Sequence, residues 1–219
     1  MRPHHLTVAR TARYWTLGTL TPATRQVWLV CHGYSQLARA FLSSFADLDD
    51  GSRLIVAPEG LSRFYLSGTH GEIGASWMTR EDRDAEIADQ FAWLDGLHAE
   101  IFRHDNPARV ETVALGFSQG VATAARWAAR ADPGPNRLIL WAEQLPPEFN
   151  APDNLGRLAD LDIDVVCGLR DRFIPSSSVD AHAERLRNLG LSFRDVRFDG
   201  GHRLDRTTLL ELAGKRQSG

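Results

Sequence analysis

Apolar and polar positions along this chain follow two alternating patterns. Short runs dense in β-branched, aromatic and leucine residues occur at Gln26–Cys31, Arg53–Ala57, Val110–Leu115, Arg137–Trp141, Ile163–Cys167 and Phe193–Phe198. Each is about the length of a strand, and the continuously apolar ones suit strands covered on both faces. Longer stretches between them carry apolar residues three or four apart, as in Ile87, Phe91, Leu94 and Leu97 or His98, which predicts a helix from about Arg80 to Phe102. Further helices are expected over Leu37–Leu48, Gln119–Arg130, about Ser177–Leu189, and after Arg203. Leu6–Arg10 and Arg13–Leu17 read as two strands able to pair as a hairpin at a sheet edge. Gly60–Trp77 holds four glycines and no sustained period, so it reads as a long loop. Strands alternating with helices predict an α/β fold, a mostly parallel central sheet with helices on both faces.

Composition narrows the class. With 219 residues and 43% hydrophobic content, the chain has material for one sizeable core, so 1–219 is expected to be a single domain with a flexible tail from about Gly214. Its 25 basic and 28 acidic residues nearly balance, which gives no electrostatic basis for nucleic-acid or anionic-membrane binding. No apolar run approaches the roughly 18 residues of a membrane span, and the first residues lack the apolar centre of a signal peptide. Cys31 and Cys167, without a metal-binding spacing, read as reduced, half-buried strand residues of a cytoplasmic protein. A small molecule is the expected partner; the oligomeric state, a homodimer included, stays open.

The chemistry centres on Gly116-Phe117-Ser118-Gln119-Gly120, a G-x-S-x-G pattern between a predicted strand and a predicted helix. A serine on so sharp a turn forces its neighbours two positions away against adjacent backbone, where a Cβ has no room. The following helix aims its free N–H groups and positive dipole end at whatever Ser118 attacks, so the Gln119 amide is a natural oxyanion donor. Downstream, the strand Ile163–Cys167 runs into Asp171, and Phe193–Phe198 runs into His202 through Gly200-Gly201. Both therefore fall past the carboxyl ends of strands, on the rim shared with Ser118. Glu143, also after a late strand, is the rival acid, but its loop continues into Pro146-Pro147 instead of a helix. Asp171 could alternatively cap the helix near Pro175, a role that Ser176 or Ser177 is better placed to fill. His98, His104 and His182 read as surface residues. A second oxyanion donor is expected after Gln26–Cys31, where Tyr34 follows His32-Gly33.

At these residues the chain resembles the phospholipase/carboxylesterase group of α/β-hydrolases, which includes the acyl-protein thioesterase-like serine esterases. The resemblance covers most of the chain. It rests on Cys31-His32-Gly33, Leu115 to Gly120, Gly168-Leu169-Arg170-Asp171 leading to Ile174-Pro175, and Gly201-His202. It implies an α/β-hydrolase fold, a triad of Ser118, Asp171 and His202, oxyanion donors at Tyr34 and Gln119, and neither metal nor organic cofactor. Ser76-Trp77 looks like the Ser-Trp of that group's active-site wall. Two departures stand out: Val121 replaces a second glycine after the turn, and Tyr34-Ser35-Gln36 replace an apolar residue followed by Gly-Asp. A tyrosine at that point narrows the expectation to short- or medium-chain carboxylic esters. Phe64, Tyr65, Trp77 and Phe173 are expected to line an acyl pocket, although aromatics are as readily core. Thioesterase or lysophospholipase activity on the same residues, or a catalytically silent binding protein on the same fold, are the other readings.

Overall fold

The computed structural model describes residues 1–214, without the side chain of Ser176. Seven strands form one sheet: β1 (Tyr14–Leu17), β2 (Gln26–Cys31), β3 (Arg53–Pro58), β6 (Glu111–Phe117), β7 (Arg137–Trp141), β8 (Asp162–Gly168) and β9 (Phe193–Phe198), in the order β1-β3-β2-β6-β7-β8-β9. All neighbours run parallel except β1, which pairs antiparallel with β3 from Tyr14↔Pro58 to Leu17↔Ile55. A separate hairpin joins β4 (Ser62–Tyr65) to β5 (Ile73–Ser76).

The alternation within each strand sorts the core into two layers. Val27, Leu29 and Cys31 of β2 face α2 (Arg83–Ile101), α3 (Gln119–Arg130) and Leu186 of α4 (Ser176–Asn188). Trp28 and Val30 face α1 (Ala38–Leu42) and α5 (Arg206–Gly214). Alanine recurs through α3 because that helix lies closest over the central strands, and Ala124, Ala125 and Ala128 are fully buried there.

Four expectations need correction. Leu6–Arg10 forms no strand: Leu6 is 85% and Val8 71% exposed, so the segment gains no burial to offset its ordering. Around it His5 is bonded to Asp82 at 3.0 Å and Arg10 donates to the Leu61 carbonyl, and β1 pairs with β3 instead. The Gly60–Trp77 loop contains the β4–β5 hairpin. Strands of four residues, one interrupted by Gly74, are too short to show a period, while Gly68 and Gly71 take positive φ between them. The helix expected over Leu37–Leu48 is α1 followed by tight 3₁₀ turns over Ser43–Leu48, and α2 starts at Arg83. The expected tail lies outside the described residues apart from Gly214, which ends α5. Among the described residues no helix is long and apolar enough to cross a membrane.

Candidate active site

Ser118 links β6 directly to α3 with φ 51° and ψ −123°, a conformation costly for a residue with a side chain. The turn is held by the Ser118 amide donating to the Trp141 carbonyl (2.8 Å) and the Val121 amide to the Ser118 carbonyl (2.8 Å). Both flanking glycines are required sterically. A Cβ on Gly120 would lie 2.7 Å from the His32 carbonyl oxygen and nearer still to that of Cys31; one on Gly116 would lie 2.5 Å from the Val121 nitrogen. Val121, where the related pattern has glycine, is fully buried in the core.

The loops after β8 and β9 are zipped together. Leu169 donates to the Phe198 carbonyl (2.9 Å) and Arg170 to that of Gly200 (2.8 Å), while Gly168 leaves room for the Gly201 carbonyl, 2.6 Å from where its Cβ would stand. This zipper brings Asp171 to His202. Asp171 Oδ2 meets His202 Nδ1 at 2.8 Å, with the carboxylate side chain fully buried. Asp171 Oδ1 accepts from the amides of Phe173 (2.8 Å) and Ile174 (3.1 Å). The same carboxylate thus closes its own turn and holds the imidazole; it does not cap α4, whose N-cap is Pro175 with no side-chain cap bond. A carboxylate only accepts, so Nδ1 is the donor of this bond, and in the neutral imidazole Nε2 is then the acceptor. Glu143 instead accepts from the Gln144 amide.

His202 lies between Phe117, the residue before Ser118, at 5.1 Å between ring centroids, and Phe173, edge-on at 4.9 Å. The Ser118 hydroxyl makes no hydrogen bond to the imidazole. Bonds of this kind are often long before substrate arrives. The backbone amides of Tyr34 and Gln119 have no acceptor among the described residues.

Several side chains that the sequence did not single out fix this geometry. Gln36 Oε1 accepts from the Gly33 amide (2.8 Å), closing the turn that carries Tyr34. The Gln119 side chain accepts from the Trp77 amide (3.1 Å) and donates to the Met78 carbonyl (2.9 Å), fastening the start of α3 to the segment after β5. His32 is buried, its Nε2 accepting from the Gly60 amide (3.0 Å) and its Nδ1 meeting the Gly33 carbonyl (2.8 Å); burial holds its pKa below the ordinary imidazole value. Glu59, also buried, joins Arg13 (2.6 Å) and the first amide of α1 (3.2 Å). The three-residue spacing of Gly33 and Gln36, typical of a closed turn, was the one available sequence signal.

The aromatics expected in the pocket divide. Phe173 is 62% exposed against His202. Phe64 is half-buried and stacks on Tyr34, whereas Tyr65, next along the strand, is exposed. Trp77 is 2% exposed, stacked on His32 and donating to the His32 carbonyl (2.7 Å).

Three further sequence readings are corrected. Both cysteines are buried free thiols, not half-buried ones, and burial pushes the Cys167 thiol up to about 11. His98 is buried against Phe102 and Trp127, while His104 is exposed as expected. His182 is buried as well, accepting from the Leu145 amide (3.0 Å) beside Arg185, which donates to the carbonyls of Leu145 and Pro146. These bonds give an α4 histidine a core role that helical spacing conceals.

Burial, with Arg185 adding to it, holds His182 down at about 4. The unfolded chain takes up this proton near pH 6.5, so stability is complete above that value and falls as the pH drops towards 4. Urea unfolding between pH 7 and 4.5 is expected to show His182→Gln, which can still accept from Leu145, losing about 2 kcal/mol less than the native chain. Equal losses in both proteins would overturn this account.

No family model matches the sequence, and no curated protein does either. Solved structures do match. A Zea mays acyl-protein thioesterase 2 superposes with TM-score 0.68 at 16% identity, over 93% of this chain and 96% of that one. Esterase PE8 gives 0.66 at 21%, over 93% and 97%, and a Bacillus cereus carboxylesterase 0.61 at 14%, over 92% of each. With identities this low and coverage nearly complete, what the chain shares with these esterases and thioesterases is their architecture: it has the α/β-hydrolase fold.

Proposed function

We propose that the chain is a serine hydrolase of carboxylic esters, acting through an acyl-enzyme with Ser118 as nucleophile, His202 as general base and acid, and Asp171 as the group that orients the imidazole. The observation that carries this reading is the Asp171–His202 hydrogen bond, which leaves His202 Nε2 as a lone-pair acceptor on the rim that bears the strained Ser118 turn. In the first half-reaction Ser118 Oγ attacks the ester carbonyl carbon and its proton passes to Nε2. The tetrahedral oxyanion is held by the Tyr34 and Gln119 amides, each contributing about 3 kcal/mol. Collapse expels the alcohol, which takes the proton from Nε2. Water then attacks the acyl carbon, giving a proton to Nε2, and collapse breaks the bond to Ser118 Oγ, which takes that proton back as the acid is released.

Short- to medium-chain esters fit best, since Tyr34 stands at the oxyanion turn. Thioesters would be cleaved by the same steps, and one of the matching folds is an acyl-protein thioesterase. A fluorophosphonate reagent is expected to label the native protein on the peptide containing Ser118. A protein that remains unlabelled, or labels elsewhere, is not this enzyme.

A further inference from the structure

Two rings stand outside both apolar layers. Tyr34 is 56% exposed and Phe64 half-buried, and they stack with centroids 5.3 Å apart and planes 28° apart. Neither belongs to the core on either face of the sheet, so packing of the fold does not explain them. What holds them is a weld between the oxyanion turn and the hairpin. Ser35, at φ 64°, donates its amide to the Ala75 carbonyl at 2.9 Å. Gly74, which pairs with Phe64 across the hairpin, permits that approach: a Cβ there would stand 2.6 Å from the Ser35 oxygen and 2.8 Å from its Cα. One strand therefore rests on the turn that carries Tyr34, and the other delivers Phe64 to its ring.

The pair also lies near the reacting groups. Gly33, next to Tyr34, approaches Phe117 so closely that its Cβ would lie 3.0 Å from that ring, and Phe117 is 5.1 Å from the His202 ring. The Tyr34 hydroxyl has no hydrogen-bond partner among the described residues. With Phe64 stacked behind it, the exposed Tyr34 ring forms an open platform that covers one face of a bound group and leaves the other wet. A flexible alkyl chain gains little there, because half its surface stays hydrated while its rotors are ordered. A flat ring has few rotors to lose and gains a stacking contact beyond its buried area.

We propose that Tyr34 and Phe64 are the binding platform for a planar aromatic group of the substrate, making aryl-bearing esters the preferred class. This rests on the reading of Ser118 as the esterase nucleophile. The test uses two ester pairs of similar size, each preference being divided by that pair's rate ratio in alkaline hydrolysis. Benzyl acetate and cyclohexylmethyl acetate carry the ring on the alcohol; methyl phenylacetate and methyl cyclohexylacetate carry it on the acid. At least one pair is expected to favour the aromatic member by roughly fivefold to tenfold in kcat/KM, and Tyr34→Leu and Phe64→Leu should each bring that ratio to within about twofold of unity. Tyr34→Leu keeps the backbone amide, and fluorophosphonate labelling of each variant confirms an assembled site. Turnover without aromatic preference, or a preference that survives both substitutions, overturns the platform alone. Absence of turnover on all four esters overturns it too, and failure of the native protein to label then removes the esterase reading with it.

Discussion

Ser118→Ala is expected to lower kcat for p-nitrophenyl acetate by about 10⁴-fold to 10⁶-fold, leaving only what binding and the oxyanion amides supply. The substitution removes the one hydroxyl at the turn and nothing that supports it, because the backbone bonds to Trp141 and Val121 do not involve the side chain. Its effect on the urea midpoint should stay within about 0.5 kcal/mol, since alanine is as strained as serine at φ 51°. Ser118→Gly separates the two consequences. It should be equally inactive yet more stable by about 1 kcal/mol, because glycine adopts this conformation without penalty. Turnover retained by either variant would overturn the nucleophile assignment.

Asp171→Asn carries the second large effect, a fall in kcat of about 10³-fold to 10⁴-fold with KM little changed. Oδ2 now accepts from the Nδ1–H of His202. The asparagine amide can present an N–H there instead, which favours the other tautomer and puts the proton on Nε2, where a base is needed. Oδ1 can still accept from the Phe173 and Ile174 amides, so Asp171→Asn should unfold at nearly the native midpoint. Asp171→Ala loses that cap as well and should be about 1–2 kcal/mol less stable. Steady-state rates with paired unfolding curves check both; an Asn variant of native kcat would remove Asp171 from the proposed mechanism.

Much of the sheet was legible because a strand buried on both faces must be apolar throughout, as Gln26–Cys31 and Arg137–Trp141 are. The helix Gln119–Arg130 was legible from its ends, being fixed by the Ser118 turn before it and the break in pattern after it. The β4–β5 hairpin was not, since its four-residue strands draw their order from contact with Ser35, far off in sequence, and not from a pattern of their own. Leu6–Arg10 failed the other way: its composition suits a strand, but pairing is decided by what lies alongside, and β3 took β1 as its neighbour. At the site, the meeting of Asp171 with His202 could be anticipated from strand-end positions. The supporting bonds of Glu59 and the Gln119 side chain could not, because an isolated glutamine or glutamate carries no local mark of a partner distant in sequence. His182 was misjudged for the same reason: its acceptor role depends on a loop some 37 positions away.

The concealment of both thiols has a practical side. Cys31 and Cys167 are the only cysteines in the chain, and each is sealed within a central strand. Thiol-directed dyes and spin labels should therefore pass the native protein by. A single cysteine introduced at the tip of the hairpin, for instance at the exposed Ser67, would take up such a reporter selectively and let its movement be followed as ester is added.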